Sequence, residues 1–227
     1  TSKAYAADMR AKISADFARP AAQIAPADLA PYESDQTTHF SVVDKDGNAV
    51  SNTYTINFNY GSGLVADGTG VLMNNEMDDF SAKPGTPNGF GLIGGDANAI
   101  QAGKRPLSSM TPTIVLKDGK VWLVTGSPGG ARIITTVLQV VMNMIDHGMN
   151  VAEASTAPRV HHQWLPDELR VEEGISLDTV RLLQAKGHTI ALKDAMGSTQ
   201  SIMRDPATGA LYGASDPRRP DAATLGY

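Results

Sequence analysis

A hydroxyl residue that opens a strand directly after a proline-rich stretch is a place to look for nucleophilic chemistry. Asp35-Gln36-Thr37-Thr38-His39-Phe40 is such a junction. Thr commonly opens strands, so the segment alone admits a purely structural reading. The chemical reading is autoproteolysis. The Thr37 hydroxyl attacks the preceding carbonyl, the chain breaks between Gln36 and Thr37, and Thr37 becomes a new N-terminus. An α-amine titrates at roughly 7.7–8.0, so the freed amine can serve as base for its own hydroxyl near neutrality.

Four other segments carry reactive or binding groups. Thr125-Gly126-Ser127-Pro128-Gly129-Gly130-Ala131-Arg132 is a glycine turn between a strand and a helix. Backbone N–H groups at such a turn, beside the positive helix end, suit an anion or the oxyanion of a tetrahedral intermediate. No Gly-Lys-Ser/Thr follows, so it is not a P-loop; a plain tight turn is the alternative. Asn74-Asn75-Glu76-Met77-Asp78-Asp79-Phe80 is acidic. It does not match a calcium loop, which leaves amine recognition or a solvated loop. Ser108 and Ser109, in Lys104-Arg105-Pro106-Leu107-Ser108-Ser109-Met110, offer two hydroxyls to a carboxylate. His161-His162 are adjacent on a strand and point to opposite faces, which favours structural roles over one shared metal ion.

These segments need elements to position them. Residues 1–18 carry Tyr5, Met9, Ile13 and Phe17 at helical spacing. Arg19–Gln36, with Pro20, Pro26 and Pro31, reads as an exposed linker or a strap on a neighbouring domain. Three hairpins follow: His39–Val43 with Ala49–Asn57, Thr113–Leu116 with Val121–Thr125, and Gln200–Arg204 with Leu211–Ala214. Helices are predicted over Ala131–His147, broadly apolar and suited to burial between layers, and over Leu177–Lys186, ending at Gly187. Residues 61–112 are loop-rich, which in a compact domain usually marks function. Antiparallel hairpins covered by a few helices make the fold class α+β.

Composition narrows the function classes. Of 227 residues, 41% are hydrophobic, enough for a core, and the formal charge of −5 includes no basic run, arguing against nucleic-acid binding. No stretch is long and apolar enough for a membrane span. The absence of Cys excludes disulfides, Cys-bound zinc and a cysteine nucleophile. The chain opens at Thr1 in a helix-like pattern, which reads as the C-terminal part of a longer polypeptide with any targeting segment upstream.

Taken in order, Gln36-Thr37-Thr38-His39, NNEMDDFSAKP (residues 74–84), RPLSSMTP (105–112), TGSPGGARIITT (125–136), AEASTAPRVHHQWLPDELRVE (152–172) and AMGSTQSI (195–202) resemble the gamma-glutamyltranspeptidase family. The likeness runs from about Thr1 to Tyr227 and is strongest to periplasmic enzymes of Gram-negative bacteria. It implies an N-terminal nucleophile hydrolase, an αββα sandwich of two antiparallel sheets between helical layers. Residues 1–36 would be the tail of the large subunit and 37–227 the small, catalytic subunit, joined in a heterodimer after cleavage at Gln36–Thr37. The implied reaction is ping-pong. Thr37 takes the gamma-glutamyl group from glutathione or a related amide as an ester, and water or an acceptor amino acid or peptide removes it, with no cofactor or metal.

By the same resemblance, Thr55 orients the Thr37 amine or hydroxyl, and Gly129 and Gly130 offer N–H groups to the oxyanion. Asn57, Glu76 and Asp79 hold the substrate's α-ammonium, and Ser108 and Ser109 contact its α-carboxylate. An Arg of the large subunit, upstream of this chain, would pair with that carboxylate. Position 76 is Glu where many bacterial relatives carry Gln. Phe90, in the lid-like segment Pro84–Gly91, stands where many carry a Tyr whose hydroxyl reaches the residue matching Asn57, so a looser lid is expected. Two rivals remain: a cephalosporin or glutaryl acylase of the same superfamily, and a non-catalytic precursor that binds glutamate with the junction intact.

Overall fold

The computed structural model describes residues 2–24 and 37–226. Gln36 and most of the expected linker therefore lie outside the described residues.

The N-terminal helix α1 spans Lys3–Ala11, shorter than residues 1–18. Ser2 caps it by accepting the Tyr5 N–H. The Ser14 hydroxyl accepts the Asp16 and Phe17 N–H groups, competing with helix continuation, and α1 buries no residue that would offset this. The next segment is not wholly exposed: Ala21, in a single 3-10 turn, is buried. Its N–H donates to Asp167 and its carbonyl accepts from the Trp164 indole.

Strands β1 (Thr38–Val43) and β2 (Ala49–Tyr54) form the first hairpin. Asp44 accepts the N–H groups of Asp46 and Asn48 across its turn. Strands β3 (Thr113–Lys117) and β4 (Lys120–Thr125) form the second. Helices α2 (Ile133–Ile145) and α3 (Val151–Thr156) follow, the latter closed by an Asn150/Glu153 capping box that the hydrophobic pattern did not reveal. Then come β5 (Val160–His161), β6 (Leu169–Glu172), α4 (Leu177–Ala185), β7 (Ile190–Lys193), β8 (Gln200–Arg204) and β9 (Leu211–Ser215).

The β1–β2 hairpin packs on the four-stranded antiparallel sheet β3-β4-β8-β9. Side chains cross this junction: Ser41 donates to the Gln200 carbonyl, and Ser51 donates to the Thr125 carbonyl while accepting the Thr113 N–H. The helices α2 and α3 cover the sheet's other side. There Leu123, Val140, Met144, Val151, Ala154 and Ala214 form the core. The result is α+β, with hairpin, sheet and helices stacked in the order expected of part of an αββα sandwich.

Two features go beyond the sequence reading. The third sheet, β5-β6-β7, is mixed, because β6 and β7 run parallel. The chain returns through α4, so both strands point the same way, as a helical crossover requires. Helix α2 is not enclosed by the described residues. Ile133, Thr136, Val137, Val140 and Met144 are buried, whereas Ile134, Leu138, Met142 and Ile145 on the opposite face are exposed.

Candidate active site

One cleft gathers Thr37, Thr55, Asn57, Asp79, Phe90, Ser108, Ser109 and Gly130. These residues come from the start of β1, the end of β2, the long loop 55–112 and the turn before α2. Gly129 precedes Gly130 in the same turn, and Glu76 is coupled to Asp79 by charge and a hydrogen bond; neither Gly129 nor Glu76 lines the cleft itself. Met110, Ala131 and Ile133 also line the cleft. Sequence reasoning missed these three, since apolar or small residues beside a motif carry no chemical signal.

Thr37 stands half-buried at the entry to β1. Two residues on, His39 is buried and bonds on both ring nitrogens, Nδ1 with Thr53 at 2.7 Å and Nε2 with Ser41 at 3.1 Å. Burial lowers its pKa to about 4, so the ring is neutral. The ring lies flat against the glycine turn: a Cβ at Gly126 would fall 2.1 Å from His39 Cε1. The β1 strand and the turn are thus held against each other.

The turn reverses through two residues in the left-handed region, Gly129 at φ 135° and Gly130 at φ 55°. L side chains rarely adopt such angles, which accounts for the glycine pair. A 3-10 turn over Gly130–Arg132 then leads into α2.

Loop 55–80 is tied by its Asn residues. Asn57, at φ 75°, is buried; its N–H donates to Thr55 Oγ1 at 2.9 Å and its Nδ2 to the Asn75 carbonyl at 3.1 Å. The Phe58 N–H donates to Asn75 Oδ1. This brings the 3-10 turn Glu76–Asp79 alongside Asn57.

The three acids of that turn have separate surroundings. Asp78 accepts the Gly89 N–H at 2.9 Å, and its carbonyl accepts from the Asn88 side chain, which pins segment 84–91. Phe90 on that segment is buried, edge-on to Phe58 at 5.5 Å. Among the described residues, Glu76 and Asp79 face each other without a cation. Burial, then the Asp79 charge and hydrogen bond, raise Glu76 to about 7. Burial, then the Asp78 charge, raise Asp79 to about 6. Glu76 Oε1 is buried with no hydrogen-bond partner among the described residues. An unpaired acceptor of this kind carries a desolvation penalty that a donor entering the cleft would remove.

Ser108 and Ser109 reach the cleft from the opposite side; the Ser108 hydroxyl accepts the Met110 N–H. The two histidines stay apart. His161 bonds Thr135 and Gln163, while His162 bonds Asp167. Among the described residues no group of His, Asp and Glu is placed to hold a metal ion. No helix of the described residues is long and apolar enough to cross a membrane.

The family model for gamma-glutamyltranspeptidase matches residues 1–226. The glutathione hydrolase proenzyme of Escherichia coli K12 is 67% identical over 227 residues, covering 100% of this chain and 39% of its own length. A solved chain of the Helicobacter pylori gamma-glutamyltranspeptidase T380A mutant is 59% identical, with a TM-score of 0.77 over 80% of this chain and 100% of its own. The cephalosporin acylase of Bacillus halodurans shares 29% identity at a TM-score of 0.76, covering 100% of this chain and 39% of its own. The chain thus spans about two-fifths of the length of the curated relative from Escherichia coli. With the family model matched over nearly the whole length and a curated relative 67% identical, this chain belongs to the gamma-glutamyltranspeptidase family.

Proposed function

We propose that this chain supplies the catalytic part of a gamma-glutamyl transferase and glutathione hydrolase that works through Thr37. The observation that carries the reading is Asp79 in the same cleft as Thr37, coupled to Glu76, with no cation on either acid among the described residues. A gamma-glutamyl donor brings an α-ammonium, which the pair and Asn57 would accept. Its α-carboxylate would meet Ser108, Ser109 and an Arg supplied by the upstream large subunit. Held at both ends, the donor would present its gamma carbonyl to the Thr37 hydroxyl.

The chemistry begins with maturation. The Thr37 hydroxyl attacks the Gln36 carbonyl and the peptide nitrogen leaves, giving an ester. Water cleaves that ester to a Gln36 carboxylate and the Thr37 hydroxyl, leaving Thr37 with the α-amine freed in the first step. Residues 1–36 then end the large subunit and 37–227 form the small one. In turnover, the Thr37 amine takes the hydroxyl proton as Oγ attacks the donor. The oxyanion receives N–H groups from Gly129 and Gly130, and the leaving amine takes the proton away. Water or the amine of an acceptor amino acid or peptide then releases the glutamyl group. Thr55 is assigned the orienting contact to Thr37. The steps call for no metal or cofactor. The periplasm is the proposed compartment, by likeness to bacterial relatives.

The acylase reading is weaker on this site. A glutaryl group has no α-ammonium and would leave Glu76 and Asp79 without a partner. The test is the denatured mass of the full-length precursor, together with labelling by a gamma-glutamyl mechanism-based inhibitor. A species starting at Thr37 that takes up the label supports the reading, and Thr37→Ala should abolish both. An intact Gln36–Thr37 bond in the wild type, with no label, would leave the precursor alternative.

A further inference from the structure

A second set of charges lies outside the cleft. Arg159, Glu172, Asp216 and Arg218 come from three stretches of the chain; the first three are buried and Arg218 is half-buried beside them. Arg159 pairs with Asp216 at 2.6 Å, and Arg218 forks onto Glu172 and also reaches Asp216 at 3.0 Å. Two cations face two anions, so the group is balanced.

What the quartet grips is backbone. Glu172 Oε1 accepts the Met196 N–H, Arg159 donates to the Met196 carbonyl at 2.6 Å, and Asp216 accepts the Thr199 N–H at 3.0 Å. Segment 196–199 is therefore fixed at both ends. Its middle presses on the glycine turn. The Ser198 N–H donates to Ser127 Oγ at 2.9 Å, and that hydroxyl donates to the Pro128 carbonyl at 2.6 Å. There is no room for a methyl between them. A Cβ at Gly197, at φ +70°, would fall 2.6 Å from Ser127 Oγ, and one at Gly129 would fall 3.4 Å from Gly197 Cα.

We infer that the Arg159–Glu172–Asp216–Arg218 quartet is a positioning device: it clamps segment 196–199 as a back wall that sets where Gly129 and Gly130 stand relative to Thr37. The inference rests on the reading that these glycines serve the oxyanion. Stabilising an oxyanion demands donors placed within a few tenths of an ångström, and preorganisation supplies the effect. A buried ion network resists displacement and directs its bonds, which an apolar filling would not do. Ser127 is the link through which the wall acts.

The test uses the full-length precursor carrying Ser127→Ala or Gly197→Ala, assayed with a chromogenic gamma-glutamyl anilide. The readouts are kcat per chain that begins at Thr37, donor KM and thermal midpoint. Ser127→Ala should lower kcat roughly tenfold or more and leave donor KM within about twofold, because the donor's head group binds elsewhere. Its thermal midpoint should move by only a few degrees, roughly the effect of one lost hydrogen bond. Gly197→Ala, which drives a methyl into Ser127, should lower kcat further with the same split. If Gly197→Ala fails to fold, Ser127→Ala still decides. An active wild type with kcat unchanged in Ser127→Ala, or with kcat and KM moving by the same factor, overturns the clamp alone. A wild type that neither cleaves nor turns over overturns the transferase reading and the clamp with it.

Discussion

Two pairs of carboxylates in this molecule are buried to different ends. Glu172 and Asp216 face Arg159 and Arg218, and burial of Asp216 is outweighed by the Arg159 charge and by backbone N–H groups, so its pKa is lowered. Among the described residues, Glu76 and Asp79 face each other without a cation and both are raised, to about 7 and about 6. Residue type is the same; the partner decides. A paired acid belongs to the architecture. An unpaired one is a vacancy for a positive group, which the α-ammonium of a gamma-glutamyl donor would fill.

The sharpest way to break this comparison is to remove an acid from each pair. Asp216→Ala leaves Arg159 charged and buried, so it should cost about 3–5 kcal/mol of stability. Urea unfolding of the full-length protein would measure it, and a loss near zero would refute the structural role. Asp79→Asn should leave stability unchanged or raised, because it removes a repulsion. It should instead lower kcat/KM for the donor by roughly 10–100-fold, about 1.5–3 kcal/mol for a charged hydrogen bond. Steady-state kinetics and a thermal melt on the same sample give both numbers.

A pH series sharpens the difference. Glu76 and Asp79 hold protons in the folded state at pH values where the unfolded chain has lost them. Between their ordinary values near 4 and their raised values of about 7 and 6, the folded state binds more protons. Their contribution to stability is thus present at low pH and declines as pH rises through that window. Melts of wild type and the Glu76→Gln, Asp79→Asn double variant should nearly coincide on the acid side and diverge as pH rises through that window, with the flatter profile for the variant. Donor binding should release protons near pH 6, because an arriving ammonium favours both carboxylates ionised. Calorimetry in two buffers of different ionisation enthalpy would detect the release.

The smallest effect is expected at the lid. Phe90 packs edge-on against Phe58, and Asp78 pins the neighbouring Gly89 N–H. Phe90→Tyr would add a hydroxyl on a ring that lines the cleft with Asn57. A change of a few-fold in the ratio of hydrolysis to transfer is expected, on the order of one neutral hydrogen bond. An unchanged ratio would show that the lid hydroxyl has no part in partitioning.

Much of this site was legible from one chain. Thr37 at a strand entry, the glycine turn, the acidic run and the Ser108-Ser109 pair stood out as candidates by residue type and took roles only from the family resemblance, while the hairpins announced themselves through Gly turns and β-branched runs. The short capped helix α3 did not, since six residues carry too little periodicity. The parallel β6–β7 pair did not, because pairing direction depends on where α4 returns the chain. Helix α2 looked enclosed because nearly every position is apolar, yet the described residues cover only one of its faces.

What the sequence determined by itself was the inventory: a hydroxyl residue at Thr37, a glycine turn at 126–130, acids at 76–79, and no Cys. What the tertiary structure decided was company. Asp78, Asp79, Glu172 and Asp216 are indistinguishable as acids along the chain. One pins a loop, one faces the cleft, and two lock a backbone strap behind the glycine turn. The physical reason is that a charge takes its free energy from what surrounds it within a few ångströms, and those surroundings come from segments distant in sequence.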